Sequence, residues 1–157
     1  MCMVISLKNV PRATKKPKKK IIGYKVVYMN NTNSVLRTIY KHYFLKEGVN
    51  QSSRNNIKCN SDEKYTGVIE QGFHFYANLK DALSDYMLCM VPIGFVIKCE
   101  IQPEDFVARG RTNPAFCQER ALNVKPHMAV QDYIKTHYVG PLSFVATKFT
   151  LIEEVKG

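Results

Sequence analysis

The sequence has no Walker loop, GxSxG elbow, HExxH zinc helix or GxGxxG fingerprint, so the catalytic classes built on those local arrangements have no support. It also lacks any stretch approaching the roughly 20 apolar residues that span a bilayer. The opening segment, residues 1–7, is apolar but too short for a signal-peptide core. It has no positive region before it and no small-residue cleavage site, and the expectation is a chain neither secreted nor membrane-embedded. The five cysteines (Cys2, Cys59, Cys89, Cys99, Cys117) form no CxxC pair and are odd in number, which argues against a disulfide framework. Cys89 and Cys99 lie inside apolar runs, where a thiol serves as a small core residue, and a reducing cytosol follows. No metal site is expected, because His42, His74, His127 and His137 have no ligand spacing with one another or with cysteine. No residue is assigned a catalytic role.

Acidic residues are missing from residues 1–20, which carry Lys8, Arg12, Lys15, Lys16, Lys18, Lys19 and Lys20. These seven cations leave only +3 of the formal +10 for residues 21–157. Pro11 and Pro17 interrupt any continuous helix there, so the sequence predicts a flexible, extended basic arm over 1–20 and a single domain over 21–157. Such a cluster attracts nucleic acid or an acidic protein surface, with an affinity that weakens in salt. Lys15, Lys16, Lys18, Lys19 and Lys20 are the candidate contacts. The alternative is a solubilising tail, since no aromatic residue lies among the lysines to stack bases.

The whole chain is 45% hydrophobic, an ordinary globular composition. Residues 22–28 are rich in β-branched and aromatic side chains and predict a strand, followed after an Asn-rich turn by a second strand at Val35–Phe44, where the alternative is a helix with Val35, Ile39 and His42 on one face. Polar residues dominate 47–64, read as a long exposed loop. Gly72–Tyr76 predicts a short strand. Asn78 can cap a following helix, whose apolar face is Leu79, Ala82, Leu83, Tyr86 and Met90, with Asp81 completing an approximate capping box. Phe95, Ile97, Cys99 and Ile101 alternate with Lys98 and Glu100 as in a half-buried strand, ended by a turn at Pro103–Asp105. Residues 108–118 read as a loop, Glu119–Val124 as a short strand, Met128–Tyr138 as a helix and Ser143–Glu153 as a final strand. This order predicts an α+β fold with one mixed, mostly antiparallel sheet and two helices.

Alternation along Phe73–Tyr76 places His74 and Tyr76 opposite Phe73 and Phe75, so His74 and Tyr76 are candidates to line a pocket with Tyr24 or Tyr86. The alternative is a satisfied histidine on a sheet face. Arg109 and Arg111, separated by Gly110, are candidate phosphate contacts on a loop, where the alternative is simple solvation.

The segment Val68–Tyr86, with its Gly72-Phe-His-Phe-Tyr76 strand and capped helix, resembles a domain of unknown function that recurs in bacteriophage and prophage proteins. The resemblance covers about Gly23 to Val124 and implies a phage accessory protein in the cytoplasm of an infected host, with no activity to carry over. More distantly, Gly72, His74, Phe75 and Tyr86 are similar in layout to the ADP-ribosyltransferase fold, with His74 where that family has a nicotinamide-stacking Tyr. The corresponding first strand here reads Gly23-Tyr-Lys-Val26 in place of the family's His-Gly or Arg, and no acidic residue is assigned as its catalytic Glu. That resemblance implies a ligand- or partner-binding derivative. Three functions follow as expectations: a non-enzymatic binder of a host macromolecule or nucleic acid, a divergent ADP-ribosyltransferase or nucleotide-binding protein using NAD, or a subunit of a larger phage assembly.

Overall fold

A computed structural model of the chain describes residues 3–6, 10–29, 36–38, 45–46, 48–51, 60–63, 66–69, 72–85, 93–112 and 140–155. The strands are β1 (Met3–Ser6), β2 (Ile21–Met29), β3 (Leu36–Thr38), β4 (Gly48–Gln51), β5 (Asn60–Glu63), β6 (Thr66–Ile69), β7 (Phe73–Tyr76), β8 (Gly94–Ile101), β9 (Phe106–Thr112), β10 (Leu142–Ala146) and β11 (Lys148–Val155). Two short helices, α1 (Val10–Ala13) and α2 (Leu79–Leu83), and a 3-10 turn at Pro103–Asp105 complete the described elements. All strands belong to one open antiparallel sheet in the order β4-β11-β8-β2-β7-β10-β9-β1-β6-β5, with β3 on β2.

This sheet cannot be flat. Strands β10 and β11 are separated by four pairing steps, about 19 Å in a flat sheet, yet only Thr147 lies between them in sequence. Two Cα steps reach at most about 7.6 Å, so the sheet must fold back on itself and bring its two halves face to face. The fold line falls between β2 and β7, which share a single register pair, Tyr24 with Tyr76, whereas β2 and β8 pair over eight. Thr147 is fixed at the crossing by its backbone N–H, which donates to the Asp105 carbonyl at 3.0 Å.

The space between the halves is the main core. One half contributes Val27, Ile97, Cys99, Ile101 and Phe149, and the other Phe73, Phe75, Phe106 and Ala146. Phe149 meets Phe73 and Phe75 edge to face, with ring centroids 4.8 and 5.1 Å apart. Gly23 is required beneath Phe75, because a Cβ there would lie 2.7 Å from the Phe75 Cβ. A smaller cluster on the opposite face of β2 and β8 joins Val26, Tyr76 and Val96 to Ala82, which seats α2 on the sheet.

The alternation read along Phe95–Ile101 holds in β8: Ile97, Cys99 and Ile101 are buried, while Lys98 and Glu100 lie on the other face and carry ion pairs to Glu153 and Lys20. Other expectations are corrected. Part of the 47–64 loop is strand, since β4 pairs with β11 and β5 with β6. Residues 106–112 are strand as well, and Ser143–Glu153 is two strands broken at Thr147. The basic segment is not one extended leader: β1 pairs with β6 and β9, and Pro11 sits inside α1, in a first turn that tolerates its missing N–H. The Asn78 side chain does not cap α2 but donates to the Asp81 carboxylate at 3.1 Å. The expected strand at Glu119–Val124 and helix at Met128–Tyr138 lie outside the described residues, as does most of Val35–Phe44.

Candidate functional site

The basic segment is held at several points. Val4 of β1 lies opposite Arg111 of β9, α1 packs against both β1 and β9, and Ala13 is buried. Lys16 then donates from Nζ to the Glu104 carbonyl oxygen at 2.7 Å, in the turn that leads into β9. Val4 thus lies at the Arg111 end of β9, α1 lies against the strand, and Lys16 lies beside the turn at its start. Lys15, Lys16, Lys18, Lys19 and Lys20 are all exposed along the stretch between α1 and β2.

Little acid neutralises them. Lys20 forms an exposed ion pair with Glu100 at 3.4 Å, which is worth little in water. Lys16 is bound to a neutral carbonyl, and among the described residues Lys15, Lys18 and Lys19 have no ion pair. Beneath this segment, burial raises the Asp105 carboxyl above the usual carboxylate range, while Lys148 and Lys16 pull it back.

Arg109 and Arg111 stand on strand β9, not on a loop. Both are exposed, and their spacing of two residues puts them on one face. The Arg109 guanidinium carbon lies 5.6 Å from the Phe106 ring centroid and 6.0 Å from that of Phe144, so the two rings orient it. Register places Phe144 directly between Arg109 and Phe75.

The expected aromatic pocket is not brought together as an open surface. His74 is 5% exposed and Tyr76 8%, both on the sheet face away from Phe73 and Phe75. His74 Nδ1 lies 3.3 Å from the Gly72 carbonyl oxygen, and the Tyr76 hydroxyl donates to Asp85 Oδ2 at 2.6 Å. Tyr76 thus ties strand to helix, and Tyr24, half-buried opposite it, packs on the same cluster. Tyr86 lies outside the described residues.

Lys25 is a residue that sequence reasoning passed over. It lies on the same face of β2 as Gly23 and Val27, so its side chain runs into the fold line between the halves. There Nζ donates to the His74 carbonyl at 3.0 Å and lies 5.5 Å from the Phe75 ring centroid. Burial lowers its ammonium to about 8, and burial pushes the neighbouring Cys99 thiol up to about 12. The one available signal was a lysine at an inward position of an otherwise apolar strand. Such a thiol is protonated and inert at neutral pH, which fits Cys99 as core filling.

Among the described residues, no group of three or more His, Cys, Asp or Glu side chains could hold a metal ion, and no helix is long and apolar enough to cross a membrane. The chain matches no protein-family model, no curated protein and no solved structure.

Proposed function

We propose that the protein is a non-enzymatic phage accessory factor that binds an acidic macromolecule, a host protein or a nucleic acid, through Lys15, Lys16, Lys18, Lys19 and Lys20. The observation that supports this reading is that five exposed lysines, only one of them ion-paired among the described residues, sit on a segment anchored at both ends. Anchoring matters because a floppy tail must be ordered on binding, at about 0.5–1.5 kcal/mol per immobilised side chain. Here α1 and β2 fix the backbone on either side, so part of that ordering is already done. A solubilising tail has no need of such anchorage.

The NAD-binding alternative has less behind it, because burial takes His74 and Tyr76 out of reach of a ligand. Deleting residues 1–20 is a poor test, since it would also strip β1 from its partners β6 and β9. Substitution of Lys15, Lys18, Lys19 and Lys20 by Gln removes charge and leaves the anchors in place. On immobilised heparin the variant elutes at clearly lower salt than the wild type. Equal elution, with unchanged circular dichroism, would place the binding surface elsewhere.

A further inference from the structure

Resting on the lysine-segment reading, we infer that its partner is a nucleic-acid strand, laid along a track in which Arg109 and Arg111 of β9 extend the lysines. Val4 pairs with Arg111 at one end of β9, α1 packs against the strand, and Lys16 reaches the Glu104 carbonyl beside its other end. From Phe106 to Arg111 the strand is extended at about 3.3 Å per residue, which makes this part of the track roughly 17 Å long. Arg109 and Arg111 mark its far half and Lys16 its near end, with Lys15 and Lys18 next to Lys16 in the sequence. A folded acidic protein presents a patch, whereas a phosphodiester backbone presents regularly spaced charge along a line, and a line is what β9 and its neighbour supply.

The arginines suit phosphate. A guanidinium forks two N–H groups toward one phosphate, and the Phe106 and Phe144 rings already hold the Arg109 fork in place. Arg111, two residues on, projects from the same face, about one phosphate spacing further along. Neither arginine has an ion pair among the described residues. Contact with the backbone alone positions a strand without reading its bases, so the binding is insensitive to sequence.

The test is fluorescence anisotropy with a labelled 20-nucleotide single-stranded DNA of mixed sequence, between 50 and 300 mM KCl, with a polyglutamate chain of similar charge as the rival ligand. Wild-type protein binds the DNA with a steep salt dependence and prefers it to polyglutamate. The Arg109→Gln/Arg111→Gln variant weakens DNA binding by on the order of tenfold at 100 mM and flattens the log–log slope by about 1.4, two contacts at about 0.7 each. The Arg109→Lys/Arg111→Lys variant keeps the slope. A slope unchanged by the Gln variant, while the lysine-to-Gln variant still lowers it, overturns the track and leaves the lysine reading standing. Equal binding of polyglutamate overturns the nucleic-acid assignment. Loss of slope in the Lys variant as well would show that the arginines act only by packing on their rings, and that too overturns the proposal.

Discussion

The Lys25 ammonium donates to the His74 carbonyl oxygen at 3.0 Å and so spans the line along which the sheet folds, where Tyr24 and Tyr76 provide the sole register pair between β2 and β7. A cation in this position is costly, because burial lowers its proton affinity to about 8 from an ordinary value of 10.5. Between those values the unfolded chain holds a proton that the folded chain has released, so stability rises with pH across that window. Cys99 acts in the opposite sense. Its buried thiol titrates at about 12 against an ordinary 9.0, so above that lower value the unfolded chain ionises first and stability is lost. Urea denaturation should therefore show stability climbing by about 1 kcal/mol from pH 8 to 9 and levelling beyond. Lys25→Met removes the climb and is itself stabilising at pH 7 by about 1–3 kcal/mol. A wild-type profile that is flat from pH 7.5 to 9, or a Met variant that retains the rise, contradicts this account of Lys25.

Gly23 and Gly48 give a second, paired prediction. At Gly23 an added methyl meets the Phe75 Cβ at 2.7 Å, an atom fixed near the backbone of a fully buried residue, whereas at Gly48 it meets nothing within 4 Å. Gly23→Ala costs about 1–3 kcal/mol through overpacking. Gly48→Ala costs about 1 kcal/mol from its backbone alone, since its φ is +77°. Equal melting temperatures for Gly23→Ala and wild type would show that β2 and β7 do not approach as described.

How much of this was legible in the sequence depends on the range of the interaction responsible. The run Ile22–Tyr28, the Phe73–Tyr76 strand and the alternation in β8 are patterns of neighbouring residues, and each stands where it was read. The strands at 48–51 and 60–63 were missed because their polar residues have little β-propensity, and their strand form depends on β11 and β6 across the sheet. Arg109-Gly-Arg111 resembles a loop by composition, yet pairing with β10 and β1 on either side makes it extended. The break at Thr147 has no local mark at all, because it follows from where Asp105 and the two halves of the sheet stand in space.

The candidate site divides in the same way. Charge segregation in residues 1–20 was visible in the sequence, and the exposure of Lys15–Lys20 agrees with it. What the sequence did not disclose is the anchoring, since β1 reaches partners sixty or more residues away. His74 and Tyr76 did fall on the face opposite Phe73 and Phe75, but alternation cannot say whether a second face is open or covered.

Tyr76 supplies a third prediction. Its hydroxyl donates to Asp85 Oδ2 at 2.6 Å, a short bond to a carboxylate that fastens the end of α2 to β7. Tyr76→Phe costs about 1.5–3 kcal/mol by urea denaturation. Addition of NAD raises the melting temperature of neither protein, and a clear shift specific to the wild type would return Tyr76 to the role of a ligand-contacting residue.

Phe149 is the fourth. It is 2% exposed and packs edge to face on both Phe73 and Phe75, joining the two halves of the folded sheet. Phe149→Leu costs about 1–3 kcal/mol and Phe149→Ala about 3–5 kcal/mol, enough to leave the latter largely unfolded at 37 °C. Two-dimensional NMR of the Ala variant with native dispersion would contradict the placement of the core.

Binding by charge carried on an anchored stretch of backbone is measured directly by the slope of log binding constant against log salt concentration. With heparin or single-stranded DNA as titrant, the wild type should give a slope that drops by about 3 when Lys15, Lys18, Lys19 and Lys20 become Gln, at about 0.7 per lost contact. An identical slope for the two proteins, both folded, would mean that these lysines touch no polyanion.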